Sequence, residues 1–255
     1  MNIDTDSHTH PFQGNGRDYD GMRKYAEAAV GKGLKRIIFT EHAPLDPRFG
    51  FDDRHYLSER EYETYLNCAE RCRAEFAGVL EIGIGIEADY HPRNLEHVAK
   101  LKGDYPFDYV GGSLHLHAPF WAEDTAELSG AARVDYALDR TLELVESGLY
   151  STLNHLDFFR WKQPEDYIPE HHEARIRAIF EALLKYGVAL ELNASGIRKH
   201  FASFLPRSEV WQWSLEYPLK RVYGSDAHKP ELVALEFAAA GELFPAANGS
   251  TAQTE

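Results

Sequence analysis

Cysteine is nearly absent from this chain. Cys68 and Cys72 are its two cysteines in 255 residues, too few for a disulfide framework, and their four-residue spacing falls inside a polar helical pattern. A reducing, cytoplasmic location is therefore expected, with ordinary packing as the role of both thiols. Basic residues are also in the minority. With 41 Asp plus Glu against 27 Lys plus Arg the net charge is −14, which repels polyphosphate chains and anionic membrane surfaces, so neither a nucleic-acid nor a membrane partner is expected. No apolar stretch approaches the roughly 20 residues of a membrane span, and Met1-Asn2-Ile3-Asp4-Thr5-Asp6 lacks the basic start and apolar run of a secretory signal. Long Ser/Gly linkers, composition breaks and internal repeats are missing too. One domain over residues 1–245 is the simplest reading, with 246–255 as a disordered tail because it carries no apolar periodicity.

What is present is an alternation of short apolar runs with longer amphipathic stretches. Strands are expected at Ile3–Ser7, Arg36–Thr40, Val79–Ile86, Phe107–Leu114, Tyr150–Leu153, Val188–Leu192 and Lys220–Tyr223. Helical patterns fall at Tyr19–Lys32, from a Ser58 cap through Phe76, near Val134–Ser147 and at Glu170–Tyr186. Glu61, three residues after Ser58, has the spacing of a capping box. About seven strands alternating with helices indicate a parallel α/β architecture, either open and doubly wound or closed as a barrel. Periodicity does not choose between them.

The chain also holds 13 histidines, and several stand where apolar runs end. Asp6-Ser7-His8-Thr9-His10 closes the first strand, and alternation places His8 and His10 on one face, where two imidazoles can grip one metal. Glu41-His42, Glu87, His115 with His117 beyond it, His155, and Asp226 with His228 close later strands. In either parallel architecture these positions meet at the carboxyl edge of the sheet. Neutral imidazoles with hard carboxylates suit Zn, Mn or Fe alike. His55, His91, His97, His171, His172 and His200 lie in loops or on helix faces and are read as solvated, which is the ordinary fate of a lone histidine.

These residues resemble a known family. His8-Thr9-His10, Thr40-Glu41-His42-Ala43-Pro44, Gly85-Ile86-Glu87-Ala88-Asp89-Tyr90, Ser113-Leu114-His115, Asn154-His155-Leu156-Asp157 and Gly224-Ser225-Asp226-Ala227-His228 are similar, in order and spacing, to the polymerase and histidinol phosphatase (PHP) superfamily. The likeness is strongest to its monofunctional histidinol-phosphate phosphatase branch. The resemblance implies a single-domain distorted (β/α)7 barrel with a metal site at the carboxyl face of the strands. Carried over, it implies one metal on His8, His10, Glu87 and Asp226, with Glu87 bridging to a second on His115 and His155, and a third on His42 and His228. One stretch departs from the pattern: where the family places another histidine or aspartate, around Gly16, this chain reads Pro11-Phe12-Gln13-Gly14-Asn15-Gly16-Arg17-Asp18. Two or three metals are accordingly expected. Either Asp18 or Asp20 swings in, or the loop turns on its glycines and the third position is weak or empty.

The resemblance also implies phosphate-binding arginines, at Arg160 and Arg198, with Arg17 and Lys199 as weaker candidates. The expected reaction is metal-dependent hydrolysis of L-histidinol phosphate to L-histidinol and phosphate, a step of histidine biosynthesis, with Glu87, His42 and His228 at the reacting centre. Glu41, Asp157 or Glu123 would receive the cationic end of this substrate. Three other readings stand beside it: a PHP-type enzyme for another small phosphate ester such as a sugar phosphate or nucleotide, an amidohydrolase, and an inactive metal-binding module.

Overall fold

The computed structural model describes residues 4–50, 55–161, 167–199 and 201–244. Ile3, His200 and the expected tail at 246–255 lie outside the described residues. The strands are β1 (Thr5–Thr9), β2 (Arg36–His42), β3 (Glu81–Asp89), β4 (Tyr109–Ser113), β5 (Thr152–Leu153), β6 (Ala189–Asn193) and β7 (Arg221–Gly224). The helices are α1 (Tyr19–Gly31), α2 (Glu59–Glu75), α3 (Leu95–Asp104), α4 (Ala122–Thr125), α5 (Gly130–Glu146), α6 (Glu173–Tyr186), α7 (Ser195–Arg198), α8 (Ser208–Ser214) and α9 (Phe237–Leu243). All seven expected strands are present within a few residues of their expected bounds.

The strands form one sheet in sequence order, β1 to β7, with every neighbouring pair parallel. This order separates the two architectures that periodicity left open. A doubly wound sheet reverses its order at a switch point, whereas this one runs round and returns. The return is the seam between β1 and β7, where Thr9 bridges Ala227 in parallel, His10 N donates to Ala227 O at 2.8 Å and Asp226 N donates to His8 O at 2.8 Å. Below the seam, the Asp6 carboxylate accepts from Ser225 N at 2.9 Å and Ala234 N at 2.8 Å. The molecule is a nearly closed seven-stranded parallel barrel jacketed by helices.

Apolar side chains fill the space between barrel and helices. Trp121, Trp211, Tyr65, Phe39, Phe180, Met22 and Ile37 are fully buried there, each contributing about 1.5–3 kcal/mol relative to exposure. The Ser58–Glu61 capping box is present at the start of α2. Cys72 is buried on α2 and Cys68 half-buried, both as free thiols, and burial pushes the Cys72 thiol up to about 12. Two histidines read as solvated are instead buried. His91 lies 4.3 Å from the Trp121 ring and accepts from Arg93 N at 3.0 Å, and His172 pairs with Asp135 at 2.9 Å. His91 caps the short helical turn that follows it, whereas His172 makes no cap bond and is held by its acid partner on α5. No helix among the described residues is long and apolar enough to cross a membrane.

Candidate metal centre

At the carboxyl end of the barrel the axis is lined by polar groups. A register shift in β1 between Asp6 and Thr9 re-aims the side chains there, as bulges beside sites do. It leaves His8 Nε2 and His10 Nε2 only 3.1 Å apart. Glu87, at the middle of the cluster and 1% exposed, divides its oxygens between two groups. Oε2 lies 3.5 Å from His8 Nε2, 3.3 Å from His10 Nε2 and 2.9 Å from His42 Nδ1. Oε1 lies 2.9 Å from His155 Nε2 and 3.8 Å from His115 Nε2. Asp226 Oδ1 stands 3.4 Å from His10 Nε2 and 3.4 Å from His228 Nδ1.

All eight residues carried over as ligands therefore meet. Their ligand atoms form three groups: His8, His10 and Asp226; Glu87, His115 and His155; and His10, His42 and His228. His10 belongs to the first and the third, so those two compete for it, whereas the second shares no residue with either. The loop that departs from the family pattern brings no acid to the third. Asp18 accepts from Gly21 N at 2.8 Å as the N-cap of α1, and Gly14 and Gly16 take positive φ angles of 74° and 93°. The loop turns on its glycines, and Asn15 Nδ2 donates to Tyr25 Oη at 2.9 Å.

Do these residues fit a metal? Ligand atoms about 2.0–2.1 Å from a tetrahedral zinc stand about 3.3 Å apart, which is the spacing found between the nitrogens and oxygens around Glu87. Buried ring nitrogens crowded within hydrogen-bond reach of one another have no mutual satisfaction without a cation or protons between them. The electrostatics agree. Burial by itself lowers the His8 pKa, but Glu191 and Glu87 outweigh it and lift the group to about 10; His10 is likewise raised, by Asp226, Glu41 and Glu87. Burial would raise Glu87, yet His8 and His42 hold it well below the usual carboxylate range. A pocket that retains protons so strongly is one that demands positive charge. By contrast, burial and the neighbouring His10 lower His42, and His10 also lowers the half-exposed His228, so both offer neutral lone pairs at neutral pH.

Around the ligands lies a layer of groups that hold them. His115 Nδ1 donates to Asp89 at 3.0 Å, and Tyr56 Oη donates to the other oxygen of Asp89 at 2.8 Å. Ser113 Oγ donates to Glu87 Oε1 at 2.5 Å and accepts from Asn154 Nδ2 at 3.2 Å, while Tyr109 Oη donates to Asn154 Oδ1 at 2.8 Å. His8 Nδ1 meets Glu191 Oε1 at 2.7 Å.

The residues expected to bind substrate are distributed differently from the expectation. Glu41 is fully buried, accepts from Phe12 N at 2.5 Å and Gln13 N at 3.0 Å, and turns its other oxygen to His10 Nδ1 at 3.6 Å. It stands behind a ligand rather than at the mouth. Asp157 is also fully buried, accepting from Arg207 N at 2.9 Å and facing Arg160 Nε at 3.4 Å. Glu123 is exposed in the first turn of α4. Arg160 is 6% exposed, donates to Ser203 Oγ at 3.2 Å and lies 4.3 Å over the Phe201 ring. Arg198 donates to the backbone oxygens of Ser225 at 3.4 Å and Asp226 at 3.2 Å, and Arg17 pairs with Glu61.

A cavity of about 310 Å³ opens over the cluster, walled by His55, Tyr56, His117, Pro119, Phe158 and Lys199. Its lysine donates to Asp226 Oδ2 at 3.2 Å and Ser195 Oγ at 3.0 Å, with the Phe158 ring 4.6 Å away. Lys199, a lesser candidate from sequence, is thus the nearest of the basic side chains to the cluster.

Comparison with known proteins agrees with this geometry. The PHP domain profile matches residues 6–195. A protein of Deinococcus radiodurans named "Probable histidinol-phosphatase" is 32% identical, over 96% of this chain and 94% of its own length. A histidinol-phosphatase of Bacillus subtilis is 26% identical, over 88% of this chain and 93% of its own. The crystal structure of histidinol phosphate phosphatase from Lactococcus lactis, complexed with zinc, L-histidinol and phosphate, superimposes with a TM-score of 0.73 at 22% identity, covering 94% of this chain and 92% of that one. With the profile spanning most of its length and a relative 32% identical over nearly the whole chain, the chain belongs to the PHP domain family.

Proposed function

We propose that this protein is a metal-dependent phosphomonoesterase that hydrolyses L-histidinol phosphate to L-histidinol and phosphate, serving histidine biosynthesis. The observation that carries the reading is the convergence of two independent ligand groups on the two oxygens of Glu87. It is supported by relatives of nearly the same length that bear the histidinol-phosphatase name. Two or three ions of Zn, Mn or Fe would be held by His8, His10, Glu87 and Asp226, by Glu87, His115 and His155, and more weakly by His42 and His228. When bound, such ions make water a nucleophile at neutral pH and neutralise phosphoryl charge.

The chain's own residues supply the rest. Water adds to phosphorus, the ester P–O bond breaks, and the leaving alkoxide takes up a proton. Lys199 stands at the edge of the cluster, where its ammonium can meet a phosphate oxygen. Arg198, tied to the backbone of the β7 end, and Arg160, backed by Asp157, are the further cations from which a phosphate contact would come. Tyr56, His55, His117 and Phe158 wall the remaining volume with rings that suit the flat imidazole of histidinol. The free thiols, one buried and one half-buried, fit a reducing cytoplasm.

The test is phosphate release from L-histidinol phosphate by protein purified without chelator, with bound metals counted on the same sample. Release with two or three metals per chain is the expected result. Fully metallated protein that releases none rejects this substrate, and release from a sugar phosphate or nucleotide instead would redirect the reading within the family.

A further inference from the structure

We infer that Glu191 is a positioning residue that sets both independent metal positions at once, orienting the His8 ring with one carboxylate oxygen and pinning the His155 backbone with the other. The inference rests on the metal reading above but not on the identity of the substrate. Glu191 is a charged side chain inside the apolar run of β6, fully buried, with no Lys or Arg partner among its described contacts. Its Oε1 lies 2.7 Å from His8 Nδ1, and its Oε2 accepts from His155 N at 2.8 Å and from Asn193 Nδ2 at 3.1 Å.

Each contact bears on a ligand. A carboxylate can only accept, so it holds the His8 proton on Nδ1 and leaves Nε2 bare, facing the cluster. His155 takes a positive φ of 26°, a left-handed backbone that a non-glycine residue adopts only when its surroundings hold it there. The bond from Glu191 to its N–H is such a hold. Room for the carboxylate comes from Gly224 on β7, where an added Cβ would stand 2.0 Å from Glu191 Oε1 and 2.6 Å from His8 Cβ. A glycine next to the carboxylate, an unusual backbone beneath one ligand and a short contact to another all converge on this one side chain.

Glu191→Gln separates this role from simple packing. The amide keeps the shape, but one of its two ends becomes a donor and faces either His8 Nδ1 or His155 N–H. At His8 this favours the tautomer with the proton on Nε2, where a metal must bind. Apo protein titrated with zinc against a chromophoric chelator, with no substrate present, is expected to show at least one site weakened about 10–100-fold in the variant. Its apo unfolding midpoint in urea is expected to fall, because the buried His8–Glu191 pair loses one of its charges, so the zinc affinity of the folded protein is the deciding readout. Unchanged zinc affinity overturns the inference, as does lowered apo stability with affinities intact. Should the variant fail to fold, nitrogen-detected histidine spectra of zinc-loaded wild type decide: His8 protonated on Nδ1 supports the inference, and His8 bare at Nδ1 overturns it. Wild type that binds no zinc overturns the metal reading itself, whereas failure to cleave histidinol phosphate leaves the zinc result standing.

Discussion

At the scale of single residues, distance from the cluster separates ligands from their supports. Glu41, Glu87 and Asp157 are all acids at or beyond strand ends, yet only Glu87 turns both oxygens into the site. Lys199 illustrates the converse. It follows Arg198 directly, but the turn of α7 sends the arginine to backbone oxygens and the lysine to Asp226. Lys199→Ala is expected to raise KM for the phosphate ester about 10–100-fold, because one charge-assisted hydrogen bond contributes about 1.5–3 kcal/mol. Lys199→Arg should recover part of that loss, and steady-state kinetics of the two variants check it. A KM unchanged in both would assign the phosphate to Arg160 and Arg198 alone. The candidate ligand residues were legible in the sequence because metal chemistry draws on few residue types. The supports were less so: Glu191 carries only the weak signal of a charge in an apolar strand, and Tyr109 carries none.

At the scale of elements, the local rules held where local forces dominate. Ser58 and Glu61 make their reciprocal bonds as the spacing requires, with Ser58 N donating to Glu61 Oε2 at 2.9 Å and Glu61 N to Ser58 Oγ at 3.3 Å. Ser58→Ala is expected to cost about 1 kcal/mol, a fall of about 2–4 °C in thermal midpoint for a chain of this size. Burial would raise Glu61, but Ser58 and Arg17 hold it below its ordinary value of 4.5. The stability it contributes is therefore present above pH 4.5 and is lost as pH falls through the lower folded value. Glu61→Gln should flatten that part of the acid unfolding profile, read by circular dichroism. His91 and His172 show where sequence reading stops: a histidine at a helical start looks solvent-facing until the neighbouring helix is packed over it.

At the scale of the whole molecule, the barrel brings together charges that the chain keeps far apart. Glu41, Glu87, Asp89, Glu191 and Asp226 are all buried at one end, and bound cations would offset their repulsion. Stripping the metals with a chelator is expected to lower the thermal midpoint by on the order of 10 °C, since a ligand at a thousand times its Kd contributes about 4 kcal/mol. Restoring zinc should restore the midpoint. His8, lifted to about 10, must give up its proton to bind, so zinc affinity should rise from pH 6 to pH 8, by about tenfold per unit for each proton released. Calorimetry in buffers of different ionisation enthalpy would count those protons.

The amino-acid sequence by itself determined the strand and helix alternation, the candidate ligand set and the family, because apolar periodicity and the residue types a metal accepts are properties of the chain read in order. Only the tertiary structure decided that the sheet closes through the bonds His10 N to Ala227 O and Asp226 N to His8 O, that His10 is shared between two ligand groups, and that Glu41 and Glu191 stand behind the imidazoles. Those outcomes depend on which side chains face one another across strands some 200 residues apart in the chain, as His8 and Glu191 do at a separation of 183, and no local pattern records that choice.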